Sequence, residues 1–197
     1  MKFCNQCGSD VIHTIPENDN RLRFVCSSCD FIHYQNPNIV AGVLPLIVDK
    51  DGTEKVLMCR RAIEPRHGFW TLPAGFMENE ETLEEAAARE SHEEANLSLG
   101  HLKLYMVTSL PHISQVYMMF IGQADNDFSP GIESLETQLF TESEIPWDDL
   151  AFPVVKDTLE NYFSDRANLV KQNQAPIKKL STNDINQFPV HNLSIKR

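Results

Sequence analysis

The chain has 197 residues, 42% of them hydrophobic, and a formal net charge of -11 with a pI near 5.0. That length holds one ordinary domain with a small appendage, and that hydrophobic content supports a real core. No stretch approaches membrane-spanning length, and the acidic balance argues against broad nucleic-acid binding, which needs a basic face.

The first pattern is Cys4-x2-Cys7, followed after eighteen intervening residues by Cys26-x2-Cys29. Four thiolates in two such knuckles close a tetrahedral zinc site with no open position for substrate, so the metal is expected to be structural. Two disulfides are the alternative. Met1-Lys2-Phe3 leads straight into the first Cys, leaving no room for a targeting peptide, so a reducing cytoplasm and Zn2+ are expected instead. Residues 1–36 thus read as a zinc ribbon, too small to fold without metal. Lys2, Arg21 and Arg23 stand there against Asp10, Glu17, Asp19 and Asp30, which gives no basic stripe for nucleic acid.

The apolar run Ile39 to Val48 predicts a strand, Asp49-Lys50-Asp51-Gly52 a turn, and Lys55 to Arg60 the returning partner of a hairpin, with Cys59 a buried free thiol. Phe69 to Leu72 is a short strand that delivers Pro73-Ala74-Gly75 to a helix. Thr82 with Glu85 three residues on is a capping box, and Leu83 to Ala95 contains strong helix formers without Gly or Pro inside. Leu83, Ala86 and Ala87 begin a face that continues at i+3 and i+4 through Glu90, Glu93 and Glu94, so the stripe turns from apolar to anionic. Like charges at that spacing repel, and a hard cation such as Mg2+ would relieve them. A solvated acidic helix is the plainer reading of such a stretch in isolation.

Strands are expected at Lys103 to Ser109, Gln115 to Gln123 and Glu136 to Thr141, and a helix at Trp147 to Ser164. From Arg166 the sequence turns polar, with six Lys or Arg against the single acid Asp184, and residues 165–197 read as a partly ordered tail. Residues 37–164 form the main domain. Mixed α and β is as far as periodicity goes.

Gly75, Glu81, Arg89-Glu90, Glu93-Glu94 and Leu97 reproduce the spacing G-x5-E-x7-R-E-U-x-E-E-x-G-U of the Nudix hydrolases, which this segment resembles at every charged position. Ser91 replaces the usual apolar residue. Asn96 replaces the second Gly and tolerates a left-handed helix stop well. With the Cys4 ribbon in front, the chain is similar to zinc-ribbon Nudix hydrolases acting on ADP-ribose and FAD, a group with a plant chloroplast member, through I-H-Y-Q-N-P at 32–37, R-A-I-E-P at 61–65, G-F-W-T-L-P-A-G-F at 68–76, P-G-I-E-S-L-E and E-I-P-W-D-D-L-A-F. It resembles the NADH pyrophosphatases more distantly. Their S-Q-P-W-P-F-P signature is replaced here by Thr108 to Gln115, which lacks the Trp and Phe.

The resemblance implies an α/β/α sandwich with a mixed sheet and a homodimer. It also implies metal-dependent hydrolysis of ADP-ribose or FAD to AMP plus a phosphorylated remainder. Cleavage of NADH or NAD-capped RNA is the enzymatic alternative, and a ligand-sensing module the non-catalytic one. It implies that Glu90, Glu93 and Glu94, with the backbone carbonyl of Ala74, hold Mg2+ or Mn2+, and that Glu133 completes the site with Glu136 as competitor. Glu94 or Glu133 is then the general base, with Glu93 beside them, and Glu81 and Arg89 form a structural ion pair. Tyr34 is the first candidate to stack on the nucleoside, with Phe31 and Trp70 competing, and Arg60, Arg61 and Arg66 are candidates for phosphate or ribose. His67, His92 and His112 are assigned to no metal.

Overall fold

Cys4 and Cys26 are buried while Cys7 and Cys29 lie at the surface of a three-stranded antiparallel ribbon: β1 (Val11–Thr14), β2 (Arg23–Cys26) and β3 (Ile32–His33). Too few apolar side chains are buried in it to stabilise so small a unit, which leaves the four Cys as its staple. The computed structural model describes residues 1–174 and 177–195. The chain forms two compact units, Met1–Pro37 and Asn38–Arg197.

The second unit is built on β4 (Asn38–Val48), β5 (Glu54–Arg61), β6 (Trp70–Thr71), β7 (Ala74–Phe76), α1 (Leu83–Ala95), β8 (Leu99–Leu110), β9 (Gln115–Ala124), β10 (Ser134–Phe140), α2 (Pro153–Asn173), α3 (Thr182–Gln187) and β11 (His191–Ser194). The sheet order is β10-β5-β4-β9-β8-β11, with β6 on β5 and β7 on β4. The β4–β9 and β8–β11 pairs are parallel and the others antiparallel, which makes the sheet mixed.

Both faces of the central strands are covered, so their sequences are continuously apolar rather than alternating. Leu44 and Leu46 of β4, Val56 and Met58 of β5, and Met119 and Ile121 of β9 pack with Val154, Val155, Leu159 and Tyr162 of α2. The intervening Ala41, Val43 and Phe120 pack with Ala86 and Ala87 of α1. Two helices on opposite faces of one sheet make the α/β/α sandwich.

Three sequence expectations need correction. The helix expected from Trp147 starts at Pro153, preceded by a 3-10 turn at Trp147–Asp149, because Pro153 sits well only in a first helical turn. It then runs past Ser164 to Asn173. The region expected as a tail is folded in the described residues: Leu169, Leu180, Ile185 and Phe188 are buried in the α2-side core, and β11 adds a strand beside β8. Its sparse apolar residues are spaced too irregularly for a periodicity reading.

Polar bonds fasten this segment as well. Glu54, its side chain 1% exposed, accepts from Arg166 Nη1 (2.8 Å) and from the Leu180 backbone N–H (3.1 Å), and the Arg166 Nη2 donates to the Ile177 carbonyl (2.9 Å). Among the described residues no helix is long and apolar enough to cross a membrane.

Candidate active site

Thr82 caps α1 as the sequence predicts: its side chain accepts from Glu85 N–H, and Glu85 accepts from Thr82 N–H at 2.7 Å. The helix stops at Asn96, whose left-handed backbone (φ 50°) replaces the usual Gly. Ser91 is fully buried where an apolar residue is usual, and its hydroxyl is satisfied by the Ala87 carbonyl at 2.8 Å.

The anionic face of this helix forms one side of a cleft of about 1260 Å³, into which Glu90, Glu93, Glu94 and Glu133 all open. Arg89 organises one flank. It donates to Glu81 (2.8 and 3.0 Å), Glu90 (2.7 Å), Glu93 (3.2 Å) and the Phe76 carbonyl (3.0 Å), and its bonds to Glu81, with the Glu78 N–H, hold the Glu81 carboxyl down to about 2. Glu90 lies directly on the backbone of Gly75. A methyl group at Gly75 would stand 2.3 Å from all three atoms of its carboxyl group, so Gly is what lets the carboxyl sit in this position.

Glu133 reaches the cleft because its loop is tied to the end of α1. Ser129 N–H donates to the Ala95 carbonyl (3.1 Å), Gly131 N–H to the Glu94 carbonyl (3.0 Å), and the Asn96 side chain to Ser129. Glu136 lies on β10 outside the cleft lining and pairs with Arg60 at 3.6 Å.

Glu94 is 5% exposed, and its Oε2 is buried with no hydrogen-bond partner. Burial, then the charges of Glu90 and Glu133, push its carboxyl up to about 8, and burial raises Glu90 as well. An unpartnered buried carboxylate oxygen beside further anionic oxygens fits a hard divalent cation. No three of these carboxylates, however, have donor atoms gathered as closely as the four Cys.

The Cys set is tighter. All four sulfurs lie within 4.8 Å of one another, with Cys4 to Cys29 at 3.8 Å and Cys7 to Cys26 at 3.4 Å. Thiolates around a tetrahedral zinc at about 2.3 Å stand about 3.8 Å apart, whereas a disulfide needs about 2.05 Å. The Gln6, Ser28 and Cys29 N–H groups point at Cys4 and Cys26 sulfurs at 3.4 Å, which suits thiolates. Zinc fits and disulfides do not.

Of the nucleotide-binding candidates, Arg61 lines the cleft. Its Nε donates to the Pro65 carbonyl (2.9 Å) and its guanidinium lies over Phe152 at 5.2 Å. Arg60 does not line the cleft: neighbouring residues of β5 point to opposite faces, and Arg60 turns to the Gly68 carbonyl and Glu136. Trp70 is also outside the lining, packed edge-on against Phe140 at 4.9 Å. Arg66 lies over Phe69. Tyr34, in the ribbon unit, is 63% exposed beneath Arg23, and Phe31 packs on His33. Sequence reasoning missed Tyr117, Phe152 and Ile195 as cleft residues, which line it from a strand start, a loop and the C-terminal segment; Phe152 ends the E-I-P-W-D-D-L-A-F segment without a role assigned to it, and no local motif marks the other two. His92 and His112 line it too, and Cys59 is the buried free thiol expected.

A mixed sheet between two helices, with this carboxylate helix on one side of a cleft and a Cys4 ribbon ahead of it, defines the class, and the chain belongs to the Nudix hydrolase family: the NUDIX domain matches residues 37–160 and the Nudix N-terminal zinc ribbon residues 2–35. Along 99% of its length it is 48% identical to a NUDIX hydrolase from Nitrosomonas europaea, covering 100% of that chain with a TM-score of 0.80. Among curated proteins it is 26% identical to the NAD-capped RNA hydrolase NudC of Vibrio parahaemolyticus over 84% of this chain, and 29% identical to that of Vibrio atlanticus over 87%. The chain spans 62% of the length of both relatives. The NUDIX domain of Shewanella oneidensis NrtR, solved with ADP ribose, shares the fold at 16% identity with a TM-score of 0.59, over 66% of this chain and 89% of that one.

Proposed function

We propose that this chain hydrolyses the diphosphate of ADP-linked compounds such as ADP-ribose and FAD, giving AMP and a phosphorylated remainder. The observation that carries the reading is the set Glu90, Glu93, Glu94 and Glu133 around one cleft, with the buried, unpartnered Oε2 of Glu94 among them. Mg2+ or Mn2+ held by Glu90, Glu93, Glu94 and the Ala74 carbonyl would neutralise phosphoryl oxygens and acidify a bound water. The full acidic set favours an enzyme over a sensing module.

The protein's own residues then do the following. Arg61, braced by Pro65 and Phe152, meets a phosphoryl oxygen with its remaining N–H donors. Arg89 keeps Glu90 and Glu93 in place and stays bound to them. Glu133, exposed at the cleft, takes the proton of the attacking water. The water oxygen bonds to one phosphorus as the bridging P–O bond breaks, and the bridging oxygen leaves with the other phosphate.

A second reading is cleavage of NADH or NAD-capped RNA, and its RNA form is favoured by the Vibrio relatives, which are NAD-capped RNA hydrolases. Two features weigh against it. The segment Thr108 to Gln115 brings Leu110, His112, Ile113 and Gln115 to the cleft, with no Trp or Phe. Among the described residues, the Lys and Arg lining of the cleft amounts to Arg61 and Arg89, and Arg89 is already committed to three carboxylates, which leaves little in that part of the wall for the phosphates of an RNA chain.

Initial rates with Mg2+ or Mn2+ on ADP-ribose, FAD, NADH, NAD-capped RNA and nucleoside triphosphates test this. ADP-ribose and FAD are expected to exceed NADH about ten-fold in kcat/KM, equivalent to about 1.4 kcal/mol of transition-state binding. Glu94→Gln is expected to lower turnover by about 10²–10⁴ with the fold intact. NADH or capped RNA as best substrate would put the second reading in its place, and no hydrolysis of any would reject both.

A further inference from the structure

The NUDIX match ends at residue 160, yet the chain beyond it reaches the cleft. β11 runs parallel to β8 with Ser194 opposite Ser109, and Ile195 N–H donates to the Ser109 carbonyl at 3.1 Å. That bond sets Ile195 at the end of β8, where Leu110 and Ile113 also line the cleft. The segment is firmly held. His191 Nε2 lies 2.7 Å from Asp165 Oδ2, which also accepts from Tyr105 (2.8 Å), Lys103 donates to the carbonyls of Ile185, Asn186 and Phe188, and Leu193 packs on the core. So many fixed bonds make a wall rather than a lid.

Its place in the cleft follows from the sheet. Gly75 of β7, against which the Glu90 carboxyl rests, is paired with Ala41 of β4, and from β4 the order runs through β9 and β8 to β11. From β7 to β11 that is four strand spacings, or about 19 Å. On the other side of the acidic centre lie Ile63, Pro65 and Phe152 around Arg61. The carboxylates therefore stand between two apolar flanks, in a cleft of about 1260 Å³ that exceeds the roughly 300–1,000 Å³ usual for a small-ligand site.

Building on the pyrophosphohydrolase reading above, we propose that the C-terminal strand is a specificity element. Ile195, with Leu110 and Ile113, forms an apolar end wall for the heteroaromatic ring that the substrate carries on the far side of its diphosphate. Gln115 also lines the cleft, and its side-chain amide would offer that ring's edge a donor and an acceptor. Compounds with a ring at both ends, FAD among them, gain from this wall, and ADP-ribose does not.

The test is calorimetric binding of FAD and of ADP-ribose to full-length protein carrying Glu94→Gln, with and without Ile195→Asp, paralleled by kcat and KM for both substrates in otherwise unaltered protein. Ile195→Asp is expected to weaken FAD binding and raise its KM about ten-fold, or about 1.4 kcal/mol, with kcat and the ADP-ribose values within about two-fold of the parent. Where Ile195→Asp lowers Tm, Ile195→Ala is decisive, with a smaller but still FAD-selective loss. Equal weakening of both ligands, no weakening, or failure of the parent to bind FAD overturns the proposal. Selective FAD binding without any hydrolysis would instead reject the catalytic reading and leave the wall standing.

Discussion

Replacing Gly75 by Ala puts a methyl carbon 2.3 Å from Cδ, Oε1 and Oε2 of Glu90, whereas ordinary contact begins at 3.4 Å. The carboxyl group must retreat by about 1 Å, away from the position fixed by its 2.7 Å bond to Arg89. Strand β7 is short and pairs with β4 through its backbone, so the substitution leaves the ladder in place and the strain falls on the side chain. A displacement of that size at a catalytic group lowers rate by on the order of 10²-fold, about 2.7 kcal/mol. We expect that loss in kcat/KM for ADP-ribose with Mg2+, with a circular dichroism spectrum like the parent's. Gly100→Ala is the control: its methyl would meet nothing closer than the Gln123 carbonyl at 3.4 Å. Because both changes act through one carboxylate, Glu90→Gln should cost less in the Gly75→Ala background than alone. Activity within three-fold of the parent, or full additivity of the two changes, would refute the assignment of Glu90 to the reaction.

The purified protein should carry about one zinc per chain, and Cys26→Ser should abolish it and expose residues 1–37 to protease while the main thermal transition persists; a zinc-free protein that keeps its ribbon would count against the site. Arg166→Ala should cost about 3–5 kcal/mol in urea unfolding by leaving Glu54 buried and unpaired, and Glu54→Leu with Arg166→Leu together should cost less; a single-variant loss under about 1 kcal/mol would contradict this. Glu81 has its carboxyl lowered from 4.5 to about 2 by Arg89, so the unfolded chain takes up the proton first and this contribution, complete above pH 4.5, is lost as pH falls toward 2. Glu81→Gln should therefore flatten the acid limb of a Tm–pH curve, and an unchanged limb would show the pair idle.

Whatever depended on contiguous side chains was legible in the sequence. The cap at Thr82, the stop at Asn96 and the run Glu90 to Glu94 lie on one helix whose geometry is fixed, and the four Cys announce their own geometry by spacing. What depended on the pleat or on distant chain was not. Arg60 and Arg61 look alike as neighbours, yet alternation sends one out of the cleft and the other into it. Residues after Arg166 read as polar because the few apolar anchors, Leu169, Leu180, Ile185 and Phe188, follow no single period. Ile195 is unremarkable until the sheet order brings it to the end of β8, and Phe152 until it meets Arg61 at the cleft.

The bonds of Glu54 reach Arg166 and Leu180, 112 and 126 residues further along. A ribosome makes the strand that carries Glu54 long before either partner exists. Until Arg166 has left the exit tunnel, closing the sheet over that carboxylate would bury a charge with nothing to neutralise it. The unit therefore completes its core only once Arg166 and Leu180 have both emerged, and a nascent chain stalled before that point exposes the α2-side core to chaperones.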